Sequence, residues 1–91
     1  MSFNAINLTS NATTVVKNNT GLLHTIVINK IGASSNTLAF YDGLSSSGTL
    51  LGTIDTTIAA GPCRIYDIFF RTGLTIVMGT GTAADVTVCY S

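Results

Sequence analysis

The sequence predicts an all-β domain, a small antiparallel β-sandwich of jelly-roll type with about seven to eight strands. The 91 residues are 46% hydrophobic but only 9% charged, against roughly 25% charged in an ordinary soluble domain. Thr, Ser, Asn and Gly fill the space left by charge, and Glu, Gln and Trp do not occur. That composition favours strands and turns over helices. From residue 12 onward, short β-branched and apolar runs alternate with turn clusters, the spacing of a sandwich and not of βαβ units.

Seven runs qualify as strands: Thr13 to Lys17, Leu22 to Ile31, Thr37 to Tyr41, Thr49 to Ile54, Arg64 to Phe70, Leu74 to Met78 and Val86 to Tyr90. Between them stand Asn18 to Gly21, Gly32 to Asn36, Asp42 to Gly48, and Ala60-Gly61-Pro62, residues that accept positive φ or break a ladder. Leu22 to Ile31 is apolar on both faces near its centre, which suits a central strand covered on both sides. Arg64 to Phe70 puts Tyr66, Ile68 and Phe70 on one face and Ile65, Asp67 and Phe69 on the other. Two apolar faces there predict burial beyond a single sandwich core. Val86, Val88 and Tyr90 share one face of the last run and anchor the C-terminus in the sheet.

Ninety-one residues support one domain and one modest core. The expected division is a flexible N-terminal arm over residues 1–11, sparse in apolar residues, and a single β-sandwich over residues 12–91. The N-terminus lacks a basic segment followed by an apolar run of about 7 to 15 residues, so no secretory signal is expected. No stretch approaches the roughly 20 apolar residues of a membrane span. The Asn-x-Thr triplets at Asn7, Asn11 and Asn18 are read as products of a Thr- and Asn-rich composition.

Catalysis is not expected. The one histidine, His24, lies mid-strand between Leu23 and Thr25 and reads as a residue of a sheet face or subunit contact; a pH-dependent interface stays open. Of Asp42, Asp55, Asp67 and Asp85, three stand at strand ends, where Asp commonly shapes turns, so turn residues are expected and not an acid and base pair. One His and two Cys, at positions 24, 63 and 89, do not make a metal motif. Cys63 and Cys89 are expected as buried thiols in a reducing compartment, with pairing across the sheet as the alternative. Gly79 to Ala84 reads as a Gly-rich hairpin turn, because no helix follows it. No cofactor, small-molecule substrate, membrane or nucleic acid is expected as a partner; Lys17, Lys30, Arg64 and Arg71 are too few and too dispersed to track phosphates.

So short and neutral a chain with so many apolar residues is expected to bury part of its surface against other subunits. It has few of the usual edge-strand defences, with Pro62 its only proline and lysines scarce. The segments Gly21 to Asn29, Leu38 to Gly43, Thr72 to Val77 and Ala84 to Val88, spread over residues 15–90, resemble small bacteriophage β-sandwich virion proteins of the capsid decoration or cement type. The resemblance implies a homotrimer on the outer shell of the virion, assembled in the host cytoplasm, that binds the major capsid protein and stabilises the head. Phe3, Ile6 and Leu8 of the arm are the candidate partner contacts. The alternatives are a tail, baseplate or fibre component, or a carbohydrate- or receptor-binding module using Asn36, Tyr41, Asp42 and Tyr66.

Overall fold

The computed structural model describes residues 3–58 and 63–91, residues 63–66 by their backbone alone. The turn expected at Ala60 to Pro62 lies outside the described residues, as do the faces expected for the Ile65 and Tyr66 side chains. Eight strands are present: β1 (Asn4–Leu8), β2 (Ala12–Lys17), β3 (Gly21–Lys30), β4 (Thr37–Asp42), β5 (Thr49–Asp55), β6 (Cys63–Phe70), β7 (Leu74–Gly79) and β8 (Asp85–Tyr90). They form two four-stranded antiparallel sheets, the first in the order β1-β8-β3-β6 and the second β2-β7-β4-β5. Only β4 and β5 are consecutive neighbours in one sheet; every other connection crosses between sheets. This is the interleaved double Greek key of a jelly roll.

The alternation of each strand decides what it buries. Leu23, Ile26 and Ile28 of β3, Phe70 of β6, and Val86 and Val88 of β8 face inward from the first sheet. They meet Leu38 and Phe40 of β4, Ile54 of β5, and Leu74, Ile76 and Met78 of β7. In β3 the register slips between Leu23 and Thr25, a bulge that shifts the inward phase by one residue. The run therefore looked apolar on both faces although it buries one: Leu22, His24 and Val27 on the other side are only half-buried.

The segment expected as part of a flexible arm contains β1, paired with β8 over five positions from Asn4↔Tyr90 to Leu8↔Val86. Asn7 fixes this register, its amide donating to Asp85 Oδ1 at 2.6 Å and to the Val86 carbonyl at 2.9 Å. The β7–β8 connection is tight, with Thr80 at φ 62° and Gly81 at φ 59°, but it is not the expected hairpin: β7 and β8 lie in different sheets, so the turn crosses the sandwich instead of joining paired strands. It is pinned to the β3–β4 loop by the reciprocal Ala33 and Thr82 backbone bonds.

One end of the sandwich is closed by a buried polar knot. Asn36, fully buried, donates from Nδ2 to Asn11 Oδ1, Gly79 O and Thr80 O at 2.9, 3.1 and 2.8 Å. It thereby ties the β1–β2, β3–β4 and β7–β8 connections together. At the other end the Asp42 carboxylate accepts the backbone N–H groups of Arg71 and Thr72, holding the β6–β7 turn beneath the end of β4.

Candidate assembly surface

On the outer face of the first sheet, one row of residues runs from the residue before β1, past the residue after β8, to β3 and β6. Asn4 stands opposite Tyr90, Leu22 exchanges backbone bonds with Ser91, and Leu22 faces Phe69. The row thus runs Phe3, Ser91, Leu22, Phe69. Phe69 is 76% exposed and Phe3 45% exposed. The Phe3 ring stacks on the His24 imidazole with centroids 4.3 Å apart. His24 Nδ1 in turn lies 2.5 Å from Asp67 Oδ1. Asp67 adopts φ 49°, a left-handed conformation uncommon for a non-glycine residue. Leu22, His24 and the two phenylalanines make one apolar and aromatic patch, bordered by the Asp67 carboxylate.

Of the three residues singled out in the N-terminal segment, only Phe3 is presented to solvent. Ile6 and Leu8 are half-buried and pack against the core, because alternation along β1 turns them inward once the strand docks on β8. Phe69, which the sequence placed on a second apolar face, is the most exposed large hydrophobic residue described. Its exposure depends on β6 being an edge strand with nothing over that face, which no local pattern reveals.

The outer face of the second sheet has a different character. One cross-strand row is Val15, Thr75, Tyr41 and Leu50, and the next is Thr13, Val77, Ala39 and Thr53. None of these eight side chains is charged. Val15 and Leu50, at its two edges, are 47% and 54% exposed.

The residues considered for sugar binding are not gathered. Asn36 is consumed in the polar knot, while Asp42 stands at the far end of β4 and is engaged by the β6–β7 turn. The Tyr66 side chain lies outside the described residues. A shallow recess of about 470 Å³ opens between the edges of β1 and β2, lined by Asn4, Val15 to Asn19 and Tyr90. Among the described residues no cluster of His, Cys, Asp or Glu could hold a metal ion. Among the described residues no helix is long and apolar enough to cross a membrane.

The two cysteines flank the central strand. Cys89 on β8 is opposite Thr25, and Cys63 on β6 is opposite Val27. Two strand spacings of about 4.8 Å each separate them, so their Cα atoms exceed the roughly 7 Å that a disulfide spans. A bond between them within one chain is excluded, and Cys89 is a free, half-buried thiol.

No family model matches the chain, and no curated protein does. Among solved structures it is similar to a Bacillus endospore appendage protein described as belonging to a novel family of disulfide-linked pili. The TM-score is 0.62 at 20% identity, over 98% of this chain and 80% of that one. It is also similar to the Drosophila NLP core, a structure described as giving insight into pentamer formation and histone binding. Here the TM-score is 0.58 at 12% identity, over 100% of this chain and 97% of that one. At these identities the likeness is one of fold.

Proposed function

We propose that this chain is a structural subunit of a bacteriophage virion, a decoration or cement protein that associates with copies of itself and binds the assembled head shell. The observation that carries the reading is the patch of Phe3, Leu22 and Phe69 on the outer face of the first sheet. Contiguous exposed aromatic and apolar side chains mark contact sites, because leaving them in water forfeits the stabilisation their burial would give. The sequence resemblance supplies the class of partner. Both solved neighbours are described as parts of multi-subunit assemblies, pili in one case and a pentamer in the other.

Decoration needs no covalent chemistry. A subunit that binds the completed shell and not its separated components stabilises the shell by its differential affinity. The test is to add the purified chain to heads that lack it, then measure co-sedimentation and the melting temperature of the heads. Binding with a raised melting temperature is expected, and Phe69→Ser, at a residue 76% exposed, should abolish binding while leaving the subunit folded. Heads that neither take up the chain nor gain stability would overturn the reading.

A second reading has its own support. Cys63 and Cys89 cannot bond to each other, which leaves both to bond between subunits, and one neighbour is a disulfide-linked pilus protein. In that reading the chain is a fibre component. Electron microscopy of the oxidised protein separates the two, with filaments that dissolve on reduction favouring the fibre and closed oligomers favouring decoration.

A further inference from the structure

We infer that the outer face of the second sheet is where two copies of this chain meet, the same face of one copy packing on that of the other. The inference rests on the self-association in the reading above and names the surface that performs it.

The two broad faces of the molecule are not alike. The outer face of the first sheet carries His24, Asp67 and Asp85, and a polar network in which Asn7 and Asn29 both donate to Asp85. A face built in this way satisfies its polar groups internally, and its exposed apolar side chains, Phe3 and Phe69, are the ones assigned above to the head shell. The outer face of the second sheet presents Val15, Tyr41, Leu50 and Val77 amid small residues and hydroxyls, with no charge in either row. Its one buried hydroxyl is already satisfied, since Thr75 Oγ1 donates to Gly43 O at 2.8 Å. Along its row Tyr41 lies between the buried Thr75 and the half-exposed Leu50, with Ala39 and Val77 in the next row, an aromatic anchor among small and aliphatic residues.

Charge and area both point to a second copy as the occupant. A partner rich in charge would have its ions stripped of water against two rows that offer no counter-charge. Packing on the first sheet's outer face would place Tyr41 and Leu50 against the His24 and Asp67 pair at the same disadvantage. The same two rows of a second copy bring no charge to them, Asp55 standing one row farther along β5 at the rim. Sheets packed face to face at about 10 Å are also the arrangement already used inside the sandwich. The molecule measures 33 × 27 × 16 Å, so a broad face offers about the 800 Å² per partner that a standard interface takes. Like-on-like contact of this kind has two-fold symmetry and stops at two copies.

Light scattering and sedimentation equilibrium on the intact chain test this directly. The expected mass is twice the 9.4 kDa of one chain. Val15→Lys and Leu50→Glu, neither residue being in the core, should each weaken the dimer at least tenfold, with Phe69→Ser leaving it unchanged. A dilution series followed by NMR on the unaltered protein needs no variant: shifts should concentrate at Val15, Ala39, Tyr41, Leu50 and Val77. A trimer, or a dimer whose shifts fall on Leu22 and Phe69 instead, overturns this interface and leaves self-association standing. A monomer that still binds heads overturns the interface but not the decoration reading. A dimer through this face that ignores heads does the reverse.

Discussion

The Thr56 hydroxyl donates to Asn36 Oδ1 at 2.6 Å, and both residues are fully buried. The Asn36 backbone carbonyl lies 3.1 Å from the same hydroxyl and also accepts the Thr56 N–H. With Asn11, Gly79 and Thr80 on its amide nitrogen, Asn36 has both polar atoms of its side chain and its carbonyl engaged. Thr56→Val keeps the shape but leaves Asn36 Oδ1 buried without that donor. A buried acceptor left unpaired costs about 2 kcal/mol, which in a domain of this size lowers Tm by roughly 10 °C. Thr56→Ser, which keeps the donor, should lose much less. Thermal unfolding of the two variants decides it: equal losses would mean that the hydroxyl contributes nothing.

Gly52 lies across from Phe40, and a Cβ at position 52 would come within 2.5 Å of the ring's Cζ and 2.8 Å of Cε2. The fully buried Phe40 ring therefore rests on β5 where that strand has no side chain. Gly52→Ala should destabilise by about 1 to 3 kcal/mol, because the displaced ring has no free volume to move into. Phe40→Leu costs stability by itself, yet in the double variant the clash is relieved. Denaturant unfolding of the four proteins should give a coupling of about 1 kcal/mol or more in the compensating direction; simple additivity would show that the ring and the glycine do not meet.

Seven of the eight strands were legible to within a residue or two, since β-branched runs end at turn residues that break a ladder. Strand β1 was not. Asn4, Asn7 and the lone Ile6 and Leu8 carry little local preference, and what orders them is pairing with β8, as in the bond from Asn7 to Asp85 some 78 positions along the chain. Of the candidate contacts, Phe3 was legible as apolar and near a terminus, whereas Phe69 needed knowledge that β6 is an edge strand. The two uncharged rows on the outer face of the second sheet were invisible for the same reason: Val15, Tyr41 and Leu50 share a row only through the registers of β2, β7, β4 and β5.

Acid should destabilise the fold through Asp42, Asp55 and Asp85. Backbone N–H groups of Arg71 and Thr72 hold the Asp42 carboxyl below its ordinary value of 3.8. The Thr57 hydroxyl and N–H do the same for Asp55, and the side-chain amides of Asn7 and Asn29 for Asp85. Each native pKa lies below the unfolded one, so the unfolded chain binds more protons in this range, and stability rises with pH there. The contribution is present above the unfolded value near 3.8 and is lost as pH falls below it. Urea midpoints measured from pH 6 down to pH 2 should be flat and then drop. Asp42→Asn should show a shallower drop than the parent; an unchanged acid limb would show that Asp42 contributes nothing to it.

The placement of the cysteines makes the last prediction. Because β3 separates Cys63 from Cys89, the folded chain has no intramolecular disulfide available without breaking the sheet at its centre. Protein purified in air and denatured without reductant should therefore take up two equivalents of alkylating reagent if monomeric. Where oxidation occurs, every disulfide should join two chains, appearing as species of doubled mass on non-reducing electrophoresis that collapse on reduction. The Cys89→Ser variant should leave oxidised dimers linked through Cys63 alone, and Cys63→Ser the converse. A monomer two mass units light, with neither thiol reactive, would place the two cysteines in contact and overturn the registers of β3 with β6 and β8.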